Sequence, residues 1–341
     1  MQAAPDSHER LALRASTDDT RCVLNLLSAL LTSRDMDGKR QGAGPHAWCE
    51  VSGQGIDITA VDRSTLQGTA HLGAGMFEEF EVDEEPLSFG INLGHLLNCV
   101  KLLGADAANR PDKLARMTLC YRVSHSPCMV LHLVEGNTVT ECEVRALELD
   151  PPEPRALEGE LLARVVWKAE RLKEAIGLLE QGSSDGAAKD RILRLQVGPA
   201  PPSLSLTVSS TAVGAEMSFP ANALVKFDAT GPVDFTYHFS LVASALRSLK
   251  DAEEVLLRVS EEGTMHWMIK IVDIRDGSHF VDFFLDPLDV GDDLAGDEQQ
   301  PQPCSTSNGK RSGDEAFADE GPPTDSVRRR LQPMMDGQEG V

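Results

Sequence analysis

Residues 68–104 read GTAHLGAGMFEEFEVDEEPLSFGINLGHLLNCVKLLG. The pattern predicts a strand, an acidic turn at residues 78–86, a second strand, and a short amphipathic helix that Asn92 caps and Gly104 ends. A second row, VDFTYHFSLVASALRSLK at residues 233–250, again joins a strand directly to a helix. This recurrence predicts a duplicated unit, and because neither row holds a catalytic cluster, it favours a protein whose shape matters more than its chemistry.

The chain is acidic, with 54 acidic and 32 basic residues and a net charge of −22. Residues 287–341 hold twelve acidic and five basic residues, so −15 remains on residues 1–286. Such a surface repels phosphate backbones at long range, and contact with nucleic acid therefore requires a local basic patch. Residues 287–341 are also poor in aromatic and β-branched residues, which predicts a disordered acidic tail.

The seven cysteines are scattered and form no CxxC pair. We interpret them as reduced structural residues of an intracellular protein, with no metal site and no cofactor. The N-terminus lacks the apolar core of a signal peptide, and no apolar run approaches the roughly 20 residues that span a bilayer. These features predict a soluble protein without a membrane partner.

Hydrophobic spacing predicts an α+β fold made of two copies of one domain, each with two helices packed on antiparallel sheets. The first helix is capped by Asp18, Asp19 or Thr20, and the third spans residues 168–180. A strand is predicted at residues 67–77 and a hairpin turn at 135–137. The predicted division is a flexible N-terminus (1–10), a first domain (11–147), an acidic proline-rich connector (148–158), a second domain (159–286) and the tail (287–341).

Four rows carry a resemblance to a known family: AGMFEEFEV (74–82), LSFGINLGHLLNCVKLLG (87–104), MTLCYR (117–122) and MVLHLVEGNTVTECEV (129–144). They resemble the Rad-one subunits of the heterotrimeric nine-one-one checkpoint clamp, within the PCNA-like DNA clamps. In the second half the agreement is of pattern, best in ERLKEAIGLLE (170–180) and SHFVDFFLDP (278–287).

The resemblance implies a subunit of a sliding clamp that works in the nucleus. It implies a heterotrimer with Rad-nine-type and Hus-one-type subunits that encircles double-stranded DNA without reading its sequence. A checkpoint clamp loader would place this ring at DNA damage, where it would promote checkpoint kinase signalling, DNA repair and control of the cell cycle.

Helices line the hole of a clamp, so the resemblance implies that cations on their exposed faces contact DNA. The candidates are Arg21, Lys101, Lys168, Arg171, Arg247 and Lys250.

Closure of a clamp ring pairs edge strands of neighbouring subunits. The resemblance implies an interface at residues 138–147 and 212–220, with the candidates Thr138, Thr140, Cys142, Val144, Val213, Ala215, Met217 and Phe219. Clamps also bind partner peptides beside the connector, where Leu149 and Leu157 are the apolar candidates.

Two other functions remain open. A 3′–5′ DNA exonuclease, an activity ascribed to this family, needs several converging carboxylates. The candidates Glu78, Glu79, Asp83, Glu84, Glu85, Asp273, Asp276, Asp282 and Asp286 are typical of solvated acidic faces, so we predict no catalysis. A homotrimeric replicative processivity clamp is the other alternative, although its inner helices would be more basic and its connector more apolar.

Overall fold

The computed structural model describes residues 10–31, 45–62, 65–83, 85–107, 115–123, 126–182, 191–198, 203–209, 214–246, 252–271 and 279–288. The first half of the chain contains β1 (Arg10–Thr17), α1 (Thr20–Ala29), β2 (His46–Ser52), β3 (Gly55–Asp62), β4 (Leu66–Gly73), β5 (Glu79–Val82), β6 (Leu87–Asn92), α2 (Leu93–Ala107), β7 (Ala115–Val123), β8 (Cys128–Glu135) and β9 (Thr138–Arg145). The second half contains β10 (Leu161–Lys168), α3 (Ala169–Gly182), β11 (Ile192–Val197), β12 (Leu204–Ser209), β13 (Gly214–Phe219), β14 (Lys226–Ala229), β15 (Val233–His238), α4 (Phe239–Leu246), β16 (Ala252–Ser260), β17 (Met265–Ile271) and β18 (Phe280–Leu285).

The two halves repeat one order of elements, which confirms the predicted duplication. In both, the fourth strand runs into a 3₁₀ turn, Ala74–Met76 in the first half and Ala221–Ala223 in the second. The first strand of each half carries an irregularity at the same place, between Leu11 and Leu13 and between Leu161 and Ala163. A match that extends to a bulge indicates a repeat of backbone geometry, since bulges are specific features of a strand.

All the strand pairs described are antiparallel, and they form three sheets. The order is β5-β1-β7-β8-β9 in a five-stranded sheet, β13-β12-β11-β15 in a four-stranded sheet, and β14-β10-β16-β17-β18-β4-β3-β2-β6 in a nine-stranded sheet. Each half therefore contributes one five-stranded and one four-stranded sheet. The nine-stranded sheet is the five-stranded sheet of the second half joined, through β18 and β4, to the four-stranded sheet of the first.

Strand alternation sends apolar side chains to one face of each sheet, and these faces meet in the core. In β17, for example, Met265, Trp267 and Ile269 are buried. Each helix pair closes its half: α1 contacts β4, β7 and β18, while α3 contacts β10, β13 and β16. In the described part of the chain, no helix is long and apolar enough to cross a membrane.

Helix starts follow the predicted capping chemistry. The Asp19 carboxylate accepts a hydrogen bond from the Cys22 backbone N–H at 2.9 Å, and the Asn92 amide oxygen accepts one from that of His95 at 2.9 Å. These bonds satisfy N–H groups that have no partner inside the helix. The predicted end of α2 at Gly104 is wrong, because the helix continues to Ala107.

Two short strands contradict the sequence prediction. The segment interpreted as an acidic turn contains β5, which pairs with β1, and the predicted strand at 67–77 ends at Gly73 before the 3₁₀ turn. In β5 the exposed Glu79 and Glu81 alternate with the half-buried Phe80 and Val82. Four residues are too few for this alternation to outweigh the acidic composition around them. The equivalent strand of the second half, β14, is also only four residues long and was missed as well.

Residues 148–158 hold no helix or strand, as predicted for a connector. The described elements lie within one compact unit, residues 1–290. The domain boundaries at residues 147 and 159 remain a prediction, and residues 1–9 and 289–341 lie outside the described part of the chain.

Candidate clamp surfaces

The seam between the halves is the antiparallel pair β4–β18. Its register sets Phe280 opposite His71 and Phe283 opposite Gly68. Phe283 is buried and packs over Gly68, where an added Cβ would lie 2.7 Å from the Phe283 ring and 3.2 Å from Leu30. The missing side chain at Gly68 therefore allows β18 and α1 to approach the same point of β4.

A polar network crosses the opposite face of this seam. His71 Nδ1 lies 2.9 Å from Asp57 Oδ1, and its Nε2 lies 3.3 Å from Asp282 Oδ2. The other oxygen of Asp282 lies 2.8 Å from Nε2 of His266, whose Nδ1 accepts a hydrogen bond from Arg258 at 3.1 Å. The network links strands β3, β4, β18, β17 and β16, so it joins side chains from both halves of the chain.

Burial alone would lower the pKa of His71, but its hydrogen bonds to Asp282 and Asp57 outweigh that effect and raise the pKa to about 9. Burial likewise opposes ionisation of Asp282, yet the hydrogen bonds from His266 and His71 lower its pKa. At neutral pH the centre of the network is thus an imidazolium between two carboxylates.

Two strands that correspond to the seam strands lie at sheet edges. β9, the last strand of the first half, corresponds to β18 and is an edge of the five-stranded sheet. β13, the fourth strand of the second half, corresponds to β4 and is an edge of the four-stranded sheet. Both are the strands for which the sequence predicted a subunit interface.

The predicted interface residues lie on these edges in alternation. On β9, Thr138 is exposed, Thr140 and Cys142 are half-buried and Val144 is buried. On β13, Ala215, Met217 and Phe219 are half-buried. Val213 lies outside the described residues. Half-buried apolar side chains along an unpaired edge indicate a core that ends there without full cover.

The predicted DNA-facing cations do not all lie in the same environment. Arg21 on α1, Lys101 on α2 and Arg171 on α3 are exposed on helices. Arg247 and Lys250 lie outside the described residues. Lys173, also exposed on α3, was missed, although its spacing from the buried Leu172 and Ile176 could have identified it.

The prediction that Lys168 lies on the third helix is wrong. Lys168 ends β10, and its ammonium lies 2.7 Å from Glu254 and 3.6 Å from Glu253 on the neighbouring β16. The hydrogen bond to Glu254 raises the pKa of Lys168. A phosphate would have to displace these carboxylates, so Lys168 is the weakest member of the predicted set.

The segment that follows β9 contacts both halves of the chain. Leu147 exchanges backbone hydrogen bonds with Gly90 of β6, and Leu149 packs over Gly90. Arg155 forms an ion pair with Asp286, just after β18. Leu149 and Leu157 are both half-buried. The apolar surface that the connector offers to a partner is therefore small, and part of the Leu149 side chain is already covered by its contact with Gly90.

Five of the nine carboxylates considered for a nuclease lie beside a basic side chain. Glu78 and Glu79 each lie 3.6 Å from Arg116, and Glu79 lies 3.5 Å from Arg14. Asp83 lies 3.8 Å from Arg10, Asp286 pairs with Arg155, and Asp282 lies in the histidine network. Glu85 is exposed, whereas Glu84, Asp273 and Asp276 lie outside the described residues. Within the described segments, no three His, Cys, Asp or Glu residues are placed to hold a metal ion.

In the described residues, two repeats of nine strands and two helices, joined through one continuous sheet, have the architecture of the PCNA-like DNA-clamp fold. The crystal structure of proliferating cellular nuclear antigen from Entamoeba histolytica superposes with a TM-score of 0.64, covering 82% of this chain and 100% of that one. The two sequences are 15% identical, so this likeness concerns the fold alone.

The family follows from sequence comparison. The family described as "Repair protein Rad1/Rec1/Rad17" matches residues 12–271. The cell cycle checkpoint protein RAD1 of Homo sapiens is 26% identical over 294 residues, which are 84% of this chain and 95% of the human protein. The DNA damage checkpoint control protein rad1 of Schizosaccharomyces pombe is 24% identical over 267 residues, 71% of this chain and 79% of its own. The chain belongs to the Rad1/Rec1/Rad17 family of repair proteins, which confirms the resemblance.

Proposed function

We propose that this protein is a non-catalytic subunit of a heterotrimeric checkpoint clamp that encircles double-stranded DNA. Its partners are Rad-nine-type and Hus-one-type subunits, and a checkpoint clamp loader places the ring at DNA damage in the nucleus. There the ring recruits and activates checkpoint kinases and repair factors. The clamp fold and the checkpoint proteins among its relatives support this proposal.

The observation that carries the proposal is the relation between the seam and the two open edges. Inside the chain, the fourth strand of one half pairs with the last strand of the other half. The remaining strands of these two types, β13 and β9, are both edges. Repeating the same join from chain to chain uses both edges of every subunit, and a repeated head-to-tail contact closes into a ring when its rotation allows.

DNA binding in this proposal rests on a few long cations. Lys101 and Arg171 extend from helices into solvent, and they carry the sign that a phosphate backbone requires. Exposed carboxylates at Glu170 and Glu174 lie on the same helix as Arg171. We therefore expect loose, salt-sensitive binding, which suits a ring that slides.

Light scattering after size-exclusion chromatography tests the assembly. The purified chain should be a monomer and should form a 1:1:1 complex when mixed with its Rad-nine-type and Hus-one-type partners. A stable self-trimer would refute the heterotrimer and favour the homotrimeric processivity clamp.

Charge reversal tests the approach to DNA. Replacing Lys101, Arg171 and Arg247 together by Glu should weaken retention of the loaded ring on DNA, and the slope of the salt dependence should fall by about one for each phosphate that is no longer neutralised. Lys226→Glu controls for the reversal of one exposed cation away from the helices, because Lys226 lies on the edge strand β14 beside Asp228. Equal retention in the triple variant and the control would remove these cations from the DNA-facing set.

A further inference from the structure

Both open edges carry exposed carboxylates. On β9, Glu141 and Glu143 are exposed on the face opposite to Thr140 and Cys142. On β13, Glu216 is exposed on the face opposite to Ala215 and Met217. When two strands pair, side chains that lie directly opposite one another on one face interact, and like charges there are destabilising. Which residues meet therefore decides which edges can pair.

The repeat fixes the positions that correspond on the last strands. Val144 pairs with Met129 in the first half as Leu285 pairs with Met265 in the second, and each pair occupies the same place in its sheet. Position 144 thus corresponds to position 285, so the two last strands are offset by 141 residues. With this offset, Glu141 corresponds to Asp282.

The fourth strands correspond with a different offset. β4 leads into the 3₁₀ turn that starts at Ala74, and β13 leads into the turn that starts at Ala221, an offset of 147. Thr69 on β4 therefore corresponds to Glu216 on β13. The alternation of side chains agrees with this offset, because Gly68 and Ala70 lie on the core-facing side of β4, as Ala215 and Met217 do on β13.

The register of the seam can now be carried over to the open edges. Inside the chain Asp282 lies opposite Thr69, and Phe283 lies opposite Gly68. Between two copies of this chain, the same join places Glu141 directly opposite Glu216 and Cys142 opposite Ala215. The two carboxylates meet at the middle of the new strand pair.

The surroundings of Glu141 do not cancel this repulsion. Arg122 lies 3.4 Å from Glu141, but the same guanidinium also lies 3.1 Å from Glu143, so one cation serves two carboxylates. His132 lies 3.3 Å from Glu141 and adds charge only when protonated. At Glu216, the near neighbour is the Ser218 hydroxyl, which donates a hydrogen bond at 3.2 Å.

We propose that Glu141 and Glu216 prevent two copies of this chain from pairing, and that they select different chains whose edge strands carry a cation opposite each carboxylate. This inference rests on the proposed clamp function. Repulsion between these carboxylates would be the reason why this chain joins a ring of different subunits and does not form a ring of identical ones.

Disulfide trapping tests whether two copies of this chain are prevented from pairing, because it captures even weak contacts between them. Ala215→Cys provides a thiol opposite Cys142 of a second copy, and Cys99→Ser removes the thiol that lies next to Cys142 in the same chain. Mild oxidation by copper phenanthroline joins the two thiols only when copies pair in this register, and peptide mass spectrometry identifies the link. In this background, Glu141→Lys or Glu216→Lys should raise the yield of linked dimer about tenfold, since each converts a like-charge pair into an opposite-charge pair.

The double reversal is the decisive comparison. Glu141→Lys with Glu216→Lys restores a like-charge pair, so its yield should return to that of the unreversed background. Glu81→Lys is the matched control: it makes the same change of net charge at an exposed position of β5, the other edge of the same sheet. A gain in Glu81→Lys equal to that of the single reversals, together with a gain at least as large in the double reversal, would trace the effect to net charge and overturn the proposal. The absence of the Cys142 link in every variant would overturn it as well.

Failure of the clamp proposal gives a different result. If the unmodified chain self-trimerises in light scattering, the heterotrimer is refuted whatever the reversals do. If it is a monomer that joins its partners but the reversals have no selective effect, the clamp proposal stands and the charge selection is wrong.

Discussion

Because of the histidine network across the seam, we expect the free energy of unfolding to fall as the pH rises into the alkaline range. His71 ordinarily titrates at 6.5, and in the folded protein its pKa is about 9. Because the folded pKa is the higher one, the stabilisation is fully present below pH 6.5 and is lost as the pH rises through about 9. The difference corresponds to a ceiling of about 3 kcal/mol.

The expected effect is smaller than this ceiling. The Asp57 side chain is 49% exposed, so solvent screens one of the two ion pairs, whereas Asp282 is 15% exposed. We therefore expect His71 to contribute about 1–2 kcal/mol. The His71→Gln variant keeps a polar side chain but cannot become a cation, so its unfolding free energy should lack this pH-dependent part.

Urea unfolding at four pH values between 6.5 and 9.5 measures the contribution, with the buried Trp167 and Trp267 as fluorescent reporters. The stability advantage of the unmodified protein over His71→Gln should shrink by about 1–2 kcal/mol across this range. His95→Gln, which makes the same change at an exposed histidine on α2 outside the network, is the control variant. Parallel profiles for the unmodified protein and His71→Gln would refute the reasoning, since other titrating groups contribute equally to both.

Three further outcomes are expected from packing and capping. Gly68→Ala should destabilise the protein by about 1–3 kcal/mol in urea unfolding, because the added methyl group meets the Phe283 ring; Gly75→Ala, with open space around it, should not. Asn92→Ala should cost about 1 kcal/mol by removing the cap of α2, and an unchanged midpoint would show that water replaces it. Burial raises the pKa of the Cys49 thiol, so iodoacetamide at pH 8 should label Cys49 only after unfolding; rapid labelling of the native protein would contradict its burial.

Local patterns in the sequence were enough for most elements and for the duplication. The caps at Asp19 and Asn92 depend on side-chain chemistry within three residues of a helix start, and the two-residue loop at 136–137 shows the left-handed φ of +59° that Gly136 permits. The edge positions of β9 and β13 also agree with prediction, because they follow from element order in the clamp fold.

Long-range partners could not be predicted in the same way. Alternation in β4 predicts which residues face the core, but it does not indicate that β18 is the neighbouring strand. The ion pairs of Lys168 with Glu253 and Glu254 depend on the pairing of β10 with β16, more than 80 residues apart. The polar partners of His71 come from two other strands, β3 and β18, and the network continues to β17 and β16. Neither the network nor its pH dependence was therefore visible in the sequence.

The separation of the seam strands β4 and β18 along the chain determines when the seam can form during synthesis. Phe280 and His71 are neighbours in the folded sheet but are separated by 209 residues in the chain. At roughly 5–20 residues per second, a ribosome needs about 10–40 s to make that interval, and β4 remains an unpaired edge throughout it. The strand equivalent to β18 that is already available is β9, in the same chain or in one emerging nearby. In that mispairing Glu141 would lie opposite Thr69 rather than Glu216, so like-charge repulsion gives no protection. Correct closure of the sheet therefore requires that β4 stay unpaired with β9, of its own chain or of a neighbouring one, until β18 has emerged.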